Sequence, residues 1–263
     1  VNEKEFEKEM GSQKSRARES GKFTNKLVLD YEGQDTVFVG YEQTKSQVKI
    51  DGMFKNNVPS KLLTKGDEGI IILNQTPFYA ESGGQVGDIG IIQGNNYEFI
   101  VNDTYKVKGN IFGHAGHVQS GKINLKDKGK AIININHRSN IKRNHSATHL
   151  LHKSLKIVLG DHVEQKGSLV DSTKTRFDFS HNKAMTSKEI KEVELIVNSE
   201  ILQNQSTQTR LMKIEEAQKE GAMMLFGEKY DEQVRVLNIG NSSELCGGTH
   251  VSHTGDIGLF KIQ

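Results

Sequence analysis

Two pairs of metal-donor side chains, each with a four-residue spacing, carry the chemistry that this sequence displays most openly. The first is His145-x-x-x-His149 in N-H-S-A-T-H-L-L-H. Residues four apart on a helix lie one above the other, so two such imidazoles can reach one ion. The second is Cys246-x-x-x-His250 in E-L-C-G-G-T-H-V, and it holds the only cysteine of the chain. Three imidazoles and one thiolate form a donor set that suits zinc. A lone H-x-x-x-H on an exposed helix face is often merely solvated; the added Cys-x-x-x-His turns the reading toward a metal site. Gly247 and Gly248 let the backbone turn tightly after the cysteine and keep bulk away from the sulfur. No Glu follows the first helix histidine, so the H-E-x-x-H peptidase arrangement lacks its general base.

The element that must position the first pair reads as one amphipathic helix over residues 139–160, with Ser139 as N-cap and Gly160 as its stop. At about 100° per residue, Ala147, Leu150, Leu151, Leu155 and Val158 fall on one side. His145, His149 and His152 cluster on roughly the opposite side, off the stripe that packs on the helix's own core. The second pair follows a strand, V-R-V-L-N-I-G.

A chain of 263 residues with net charge +2 can bury a sizeable core in one large or two modest domains. The balance excludes a basic nucleic-acid coat, so any nucleic-acid contact must be local. One cysteine permits no internal disulfide, which fits a reducing, cytoplasmic setting. No apolar run approaches the ~20 residues of a membrane span, and V-N-E-K-E-F-E-K-E-M has no signal-peptide character. The chain begins with Val, so it reads as a piece of a longer protein.

In chain order, residues 2–20 are charged and helical in pattern. From about residue 23 to 136, T-V-F-V-G-Y-E, Q-V-K-I-D-G-M-F, G-I-I-I-L-N, D-I-G-I-I-Q-G, Y-E-F-I-V-N-D-T-Y and K-A-I-I-N-I-N are strand segments, with G-N-N-Y and D-G-M as hairpin-like turns. They predict a small antiparallel β-barrel. Residues 76–90, T-P-F-Y-A-E-S-G-G-Q-V-G-D-I-G, differ from the strands around them. Gly83 and Gly84 either let the backbone approach a ligand or RNA phosphate, or simply bend a long hairpin. After the histidine helix, H-V-E-Q-K-G-S-L-V and T-R-F-D-F-S-H form a strand pair, Thr186-x-x-Glu189 opens a helix with a capping box, E-E-A-Q-K-E is a short helix, and G-L-F-K-I is a last strand. The fold class is α+β, a small antiparallel barrel followed by an α+β zinc-binding domain.

Five stretches in order, T-P-F-Y-A-E-S-G-G-Q-V-G-D, N-H-S-A-T-H-L-L-H, G-D-H-V-E-Q-K-G-S-L-V, R-F-D-F-S-H and C-G-G-T-H-V, make the chain similar to alanyl-tRNA synthetases over almost its whole length. The stretch matched is the family's β-barrel insertion and its editing domain, which also occurs as freestanding alanyl-tRNA editing proteins. Threonyl-tRNA synthetases resemble the editing half only. The resemblance implies a division into residues 1–22 (the end of a preceding domain), 23–136 (barrel insertion) and 137–263 (editing domain, possibly truncated at its C-terminus). The family's aminoacylation domain and the basic stretch after G-L-F-K-I have no counterpart, so ligase activity with ATP is expected of the full-length protein and not of this fragment.

By the same resemblance, His145, His149, Cys246 and His250 take the zinc positions. Thr148 is assigned to sensing a serine hydroxyl and Gln165 to positioning substrate or water; the plainer alternatives are packing for Thr148 and an exposed strand position for Gln165. Gly83, Gly84 and Gln85 form the glycine loop, and a Gly-Gly-Gln run is also how release factors hydrolyse peptidyl-tRNA esters, although three residues carry no inference alone. Lys142 and Arg143 lie where RNA phosphates would pass, or else are a solvated helix start. The implied reaction is hydrolysis of the ester of serine or glycine mischarged on tRNA(Ala) at its acceptor end. An alanine pocket separates such neighbours by only about 1–3 kcal/mol, which calls for a second, hydrolytic site. A fourth donor leaves the metal closed and structural; a loose donor opens a position for water or substrate. The alternatives are a freestanding deacylase and a zinc-stabilised tRNA-binding module without catalysis.

Overall fold

A computed structural model describes residues 29–224 and 231–263. The charged helical pattern at residues 2–20 lies outside the described residues. Ten strands come first: β1 (Val37–Phe38), β2 (Lys45–Lys55), β3 (Val58–Pro59), β4 (Leu62–Thr64), β5 (Glu68–Leu73), β6 (Gln75–Thr76), β7 (Gly90–Gln93), β8 (Tyr97–Lys108), β9 (Ile111–Asn124) and β10 (Lys128–Ile133). Six of them close on themselves in the order β2-β5-β9-β8-β7-β10, and β10 pairs back onto β2. Every pairing around this barrel is antiparallel. Closure leaves the barrel no unpaired edges. Its interior is the inward-facing half of each alternating strand, with Ile50, Ile71, Ile92 and Phe99 fully buried, and Phe78, from the segment after β6, packs into the same core.

Three local details differ from the sequence expectation. The D-G-M segment is not a turn but part of β2, where the register shifts between Ile50 and Gly52. A Cβ at Gly52 would sit 2.8 Å from the Tyr31 ring, so the glycine serves a close contact at a bulge. The hairpin lies just beyond it, at Asn56 and Asn57, both left-handed with φ of 50° and 65°. The third is β9, the longest strand of the barrel, which is not among the strand segments marked in the sequence. A Cβ at Gly116 would come within 1.7 Å of the Ile100 carbonyl, so this glycine admits β8 rather than turning the chain. His114, also on β9, is fully buried. Its Nδ1–H donates to the Ile71 carbonyl at 2.9 Å and its Nε2 accepts from Thr76 Oγ1 at 2.7 Å.

The second half begins with α1 (Ile135–Leu159), four residues earlier than Ser139. Asn134 is the cap instead, its Oδ1 accepting from His137 N at 3.0 Å. The C-N-terminal asymmetry holds at the other end, where Gly160 at φ 111° stops the helix. Then come β11 (Gln165–Val170), β12 (Thr175–Phe179), α2 (Ser187–Leu202), β13 (Gln208–Lys213), α3 (Ile214–Lys219), β14 (Gln233–Ile239), β15 (Ser242–Leu245) and a 3-10 turn at Thr254–Ile257. β11 and β12 form an antiparallel hairpin, and β13-β14-β15 an antiparallel sheet. Thr186 and Glu189 make the expected capping box of α2. Leu150, Leu151 and Leu155 of α1 pack with Val193, Val197 and Ile201 of α2 and with Leu237 and Ile239 of β14. The G-L-F-K-I segment is not a strand. Side chains of α2 hold its backbone: Asn198 brackets Phe260 through both N–H and carbonyl, and Glu194 accepts from Ile262 N. The whole is an α+β chain with a closed barrel.

Candidate metal centre

α1 carries His145 and His149 one turn apart, their rings stacked with centroids 5.2 Å apart. The chain leaving β15 brings Cys246 and His250 over the same face. All four donor atoms lie within 4.8 Å of one another. Cys246 Sγ is 3.6 Å from His145 Nε2 and 3.3 Å from His250 Nε2. A tetrahedral zinc with ordinary bond lengths would set N···S edges at roughly 3.6 Å. The glycine after Gly247 is essential to this approach. A Cβ at Gly248 would stand 2.1 Å from the His145 ring, whereas one at Gly247 would meet nothing within 4 Å.

The groups behind the donors set their tautomers. His145 Nδ1–H donates to Gln85 Oε1 at 2.7 Å, and His149 Nδ1–H donates to Glu244 Oε2 at 2.8 Å. Both Nε2 atoms therefore point inward, and among the described residues His149 Nε2 is buried without a hydrogen-bond partner. Burial disfavours the Cys246 thiolate, but His145 and His149 beside it hold the thiol well below its ordinary range. Burial likewise opposes the charged forms of Glu244 and His149. The Glu244 carboxylate nevertheless falls to about 2 beside His149 and His152, and His149 rises to about 10 beside Glu244 and Cys246. His250 is pushed down to about 3, chiefly by burial, and is a neutral imidazole. Inward Nε2 atoms, a thiolate and an orphaned buried nitrogen fit a zinc ion held by these four residues.

The three helix histidines are not on a solvated face: His145, His149 and His152 are 5–6% exposed. They are covered by the barrel's glycine-rich segment and by β15, neither of which helical periodicity can anticipate. Gln85 is fully buried. Its Oε1 accepts from both His145 Nδ1–H and Thr249 N–H, and its Nε2 donates to Thr249 Oγ1 at 3.0 Å. Its amide thus clamps the two donor segments together and is not free to face a substrate. Gly84, at φ 82°, receives the Val170 N–H on its carbonyl at 2.8 Å, which ties the same segment to β11.

A cavity of about 370 Å³ opens beside the donors. Thr148, Gln165, Gly83, His152 and Cys246 are among its lining residues. Thr148 Oγ1 donates to the Asn144 carbonyl at 2.8 Å and lies 2.8 Å from Thr175 Oγ1. With its proton committed, this hydroxyl offers only an acceptor lone pair to the cavity. Lys142 lines a different cavity, and Arg143 is exposed, its closest side-chain partner Asn140 Oδ1 at 3.4 Å. Glu244 and His152 were not singled out as functional by sequence reasoning. Glu244 had a usable signal: it stands two residues before Cys246, so on a strand both side chains share a face.

A family model for tRNA synthetases class II (A) matches residues 1–137, and one for the threonyl and alanyl tRNA synthetase second additional domain matches residues 234–263. Among curated relatives, the alanine–tRNA ligase of Polaromonas sp. is 52% identical over 262 residues, which is 100% of this chain and 30% of the relative. That of Dechloromonas aromatica is 54% identical over 257 residues, 98% of this chain and 30% of the relative. The chain thus carries a class II tRNA synthetase segment joined to the second additional domain. It belongs to the alanyl-tRNA synthetase family and spans about 30% of the length of these relatives.

Proposed function

We propose that this chain is the editing part of an alanyl-tRNA synthetase, hydrolysing the ester that joins serine or glycine to the 3′ end of tRNA(Ala). The observation that carries the reading is the cavity that Thr148 and Gln165 share with the donors His145, His149 and Cys246. Zinc held by His145, His149, Cys246 and His250 would supply a Lewis acid, or a fixed charge that organises the pocket. Gln85 and Glu244 keep the donor imidazoles in the required tautomer. The acceptor lone pair of Thr148 can take the hydroxyl hydrogen of a seryl ester, a hydrogen bond that an alanyl ester cannot make. Gln165 supplies an amide for the ester carbonyl or the attacking water. The barrel insertion (23–136) and editing domain (137–263) divide the labour: the barrel's glycine loop forms one wall and the editing domain the donors. The setting is cytoplasmic protein synthesis, and the full-length protein would join alanine to tRNA(Ala) with ATP.

The convergence of four donors also favours a second reading, a coordinatively closed zinc that stabilises a tRNA-binding module. Deacylation of Ser-tRNA(Ala), measured with and without chelator, separates the two. Hydrolysis that disappears with the metal supports editing; tRNA binding without hydrolysis supports the module and overturns the editing proposal.

A further inference from the structure

Arg235 of β14 and Tyr41 of the barrel hold each carbonyl of the Cys-Gly-Gly run. Arg235 Nη1 donates to the Cys246 and Gly248 carbonyls, each at 3.0 Å, and Tyr41 Oη–H donates to the Gly247 carbonyl at 2.6 Å. The two side chains fix one another: the Arg235 guanidinium carbon stands 4.2 Å over the Tyr41 ring. Arg235 is held further by Nη2, which donates to Thr209 Oγ1 at 3.2 Å, and by its carbonyl, which accepts from Cys246 N at 2.9 Å.

A trans peptide is planar, with its C=O and N–H antiparallel. Carbonyls held on the Arg235 and Tyr41 side therefore turn the N–H groups that follow them the other way. Two of these meet partners there: Gly248 N–H donates to Cys246 Sγ at 3.4 Å and Thr249 N–H to Gln85 Oε1 at 3.0 Å. The Gly247 N–H has no partner among the described residues. Gly247 is exposed and lines the large cavity with His145, Thr148, Gln165 and Cys246, whereas Tyr41 lines the other cavity, that of Lys142. Sterics explain Gly248, whose Cβ would strike His145, but not Gly247, whose Cβ would meet nothing within 4 Å. The open space beside its N–H is what a substrate oxygen needs. A fixed backbone donor requires no reorganisation to meet charge that develops on a carbonyl oxygen, and one such donor is worth about 10²–10³ in rate.

We propose that the Gly247 N–H is an oxyanion donor of the ester hydrolysis, and that Arg235 and Tyr41 are the positioning residues that aim it. The assignment rests on the editing reading. Water adds to the ester carbonyl carbon, the carbonyl π pair moves onto oxygen, and that oxyanion takes the hydrogen bond from Gly247. As the carbonyl re-forms, the bond to the ribose oxygen breaks. That oxygen leaves with one proton of the attacking water, and the amino acid departs as its carboxylate, the other proton passing to solvent. The segment that brings two metal donors thus brings a donor for the developing charge as well, and the barrel, through Tyr41, sets its direction.

The test uses zinc-loaded protein labelled with 15N-glycine, the Gly247 resonance being assigned by its loss in Gly247→Ala. Two analogues of seryl-adenosine are titrated: an amide, with a planar carbonyl, and a phosphonate monoester, whose tetrahedral P–O⁻ stands where the oxyanion forms. The Gly247 N–H resonance is expected to move downfield and to exchange more slowly with the phosphonate, and to shift less with the amide. Gly247→Pro removes the N–H and should weaken the phosphonate about a hundredfold while leaving the amide's affinity nearly as it was. Tyr41→Phe frees the Gly247 carbonyl and should give the same split at about tenfold, with zinc content unchanged. It decides the matter where Gly247→Pro fails to retain zinc. An unmoved Gly247 resonance with bound phosphonate, no split between the analogues in the variants, or binding of neither analogue overturns the proposal. Deacylation of Ser-tRNA(Ala) by the same sample tells the two failures apart: hydrolysis that persists leaves the editing reading standing, and its absence removes both.

Discussion

Glu244 carries the electrostatics of the metal centre at the scale of single residues. One carboxylate accepts from His149 Nδ1 at 2.8 Å, from His152 Nδ1 at 3.2 Å and from Ser242 Oγ at 2.8 Å. Its charge, with the Cys246 thiolate, keeps His149 protonated when no metal is bound. Zinc must displace that proton, whereas Cys246 has already lost its own. Zinc uptake near pH 8 should therefore release about one proton per ion, read by calorimetry in buffers of different ionisation enthalpy. A release near two would mean that the thiol is protonated in the metal-free site. Cys246→Ala removes the thiolate and leaves three imidazoles from two separated segments. Deacylation of Ser-tRNA(Ala) should fall at least ~100-fold while tRNA binding, which draws on dispersed cations, changes little. Thr148→Val keeps the volume and removes the acceptor, so the preference for seryl over alanyl esters should shrink about tenfold. Normal deacylation by zinc-free Cys246→Ala, or an undiminished preference in Thr148→Val, would move the chemistry to other residues, Gln165 first.

Among the elements, the barrel strands hold a titratable group of their own. His114 on β9 is wholly buried and its pKa is lowered from 6.5 to about 4, mainly by burial. The unfolded chain therefore takes up this proton before the folded barrel does. The stability contributed by neutral His114 is complete above pH 6.5 and is lost as pH falls through about 4. At ~1.4 kcal/mol per unit, that loss amounts to about 3 kcal/mol. His114→Gln keeps a polar side chain but cannot titrate. Barrel amide exchange followed between pH 7 and 4 should lose this part of its pH dependence in the variant; equal slopes in both proteins would place the neutral histidine's role elsewhere. The other elements are matched to their neighbours in the same way. α1 gives its leucines to α2 and its histidines to the barrel loop and β15, so both of its faces are committed.

For the molecule as a whole, the join between barrel and donor domain is polar and buried. Arg138, near the start of α1, donates from Nε to both oxygens of Asp88 at 2.9 and 3.0 Å, from Nη1 to the Gly40 carbonyl at 2.7 Å and from Nη2 to the Pro77 carbonyl at 3.0 Å. Arg138 and Asp88 are 3% and 1% exposed. Arg138→Ala would strand a buried carboxylate, at a cost of about 3–5 kcal/mol. Calorimetry should then resolve two melting transitions for the two halves, with weaker zinc retention as Gln85 loosens from His145. A single transition at the wild-type temperature would show that the halves are held together without this pair.

Much of this was written in the local sequence. Helical spacing placed His145 and His149 within reach of one another, the Cys-Gly-Gly-Thr-His segment supplied the other two potential donors of the cluster, alternation marked most barrel strands, and Thr186-x-x-Glu189 announced α2. These features depend on neighbours within about a turn or a strand pair, where backbone geometry alone sets which side chains meet. Tertiary structure decided the rest. It made Gly116 of β9 a place where β8 passes closely, and Gly52 a seat for the Tyr31 ring and not a turn, because a glycine's purpose depends on what approaches it. It buried the histidine face under segments from distant parts of the chain, and assigned Gln85 and Glu244 to orienting the imidazoles. It also left the G-L-F-K-I segment bound to α2 side chains instead of a strand. Such outcomes rest on contacts between residues up to 164 positions apart, as Gln85 and Thr249 are, and no local pattern encodes which distant group will arrive.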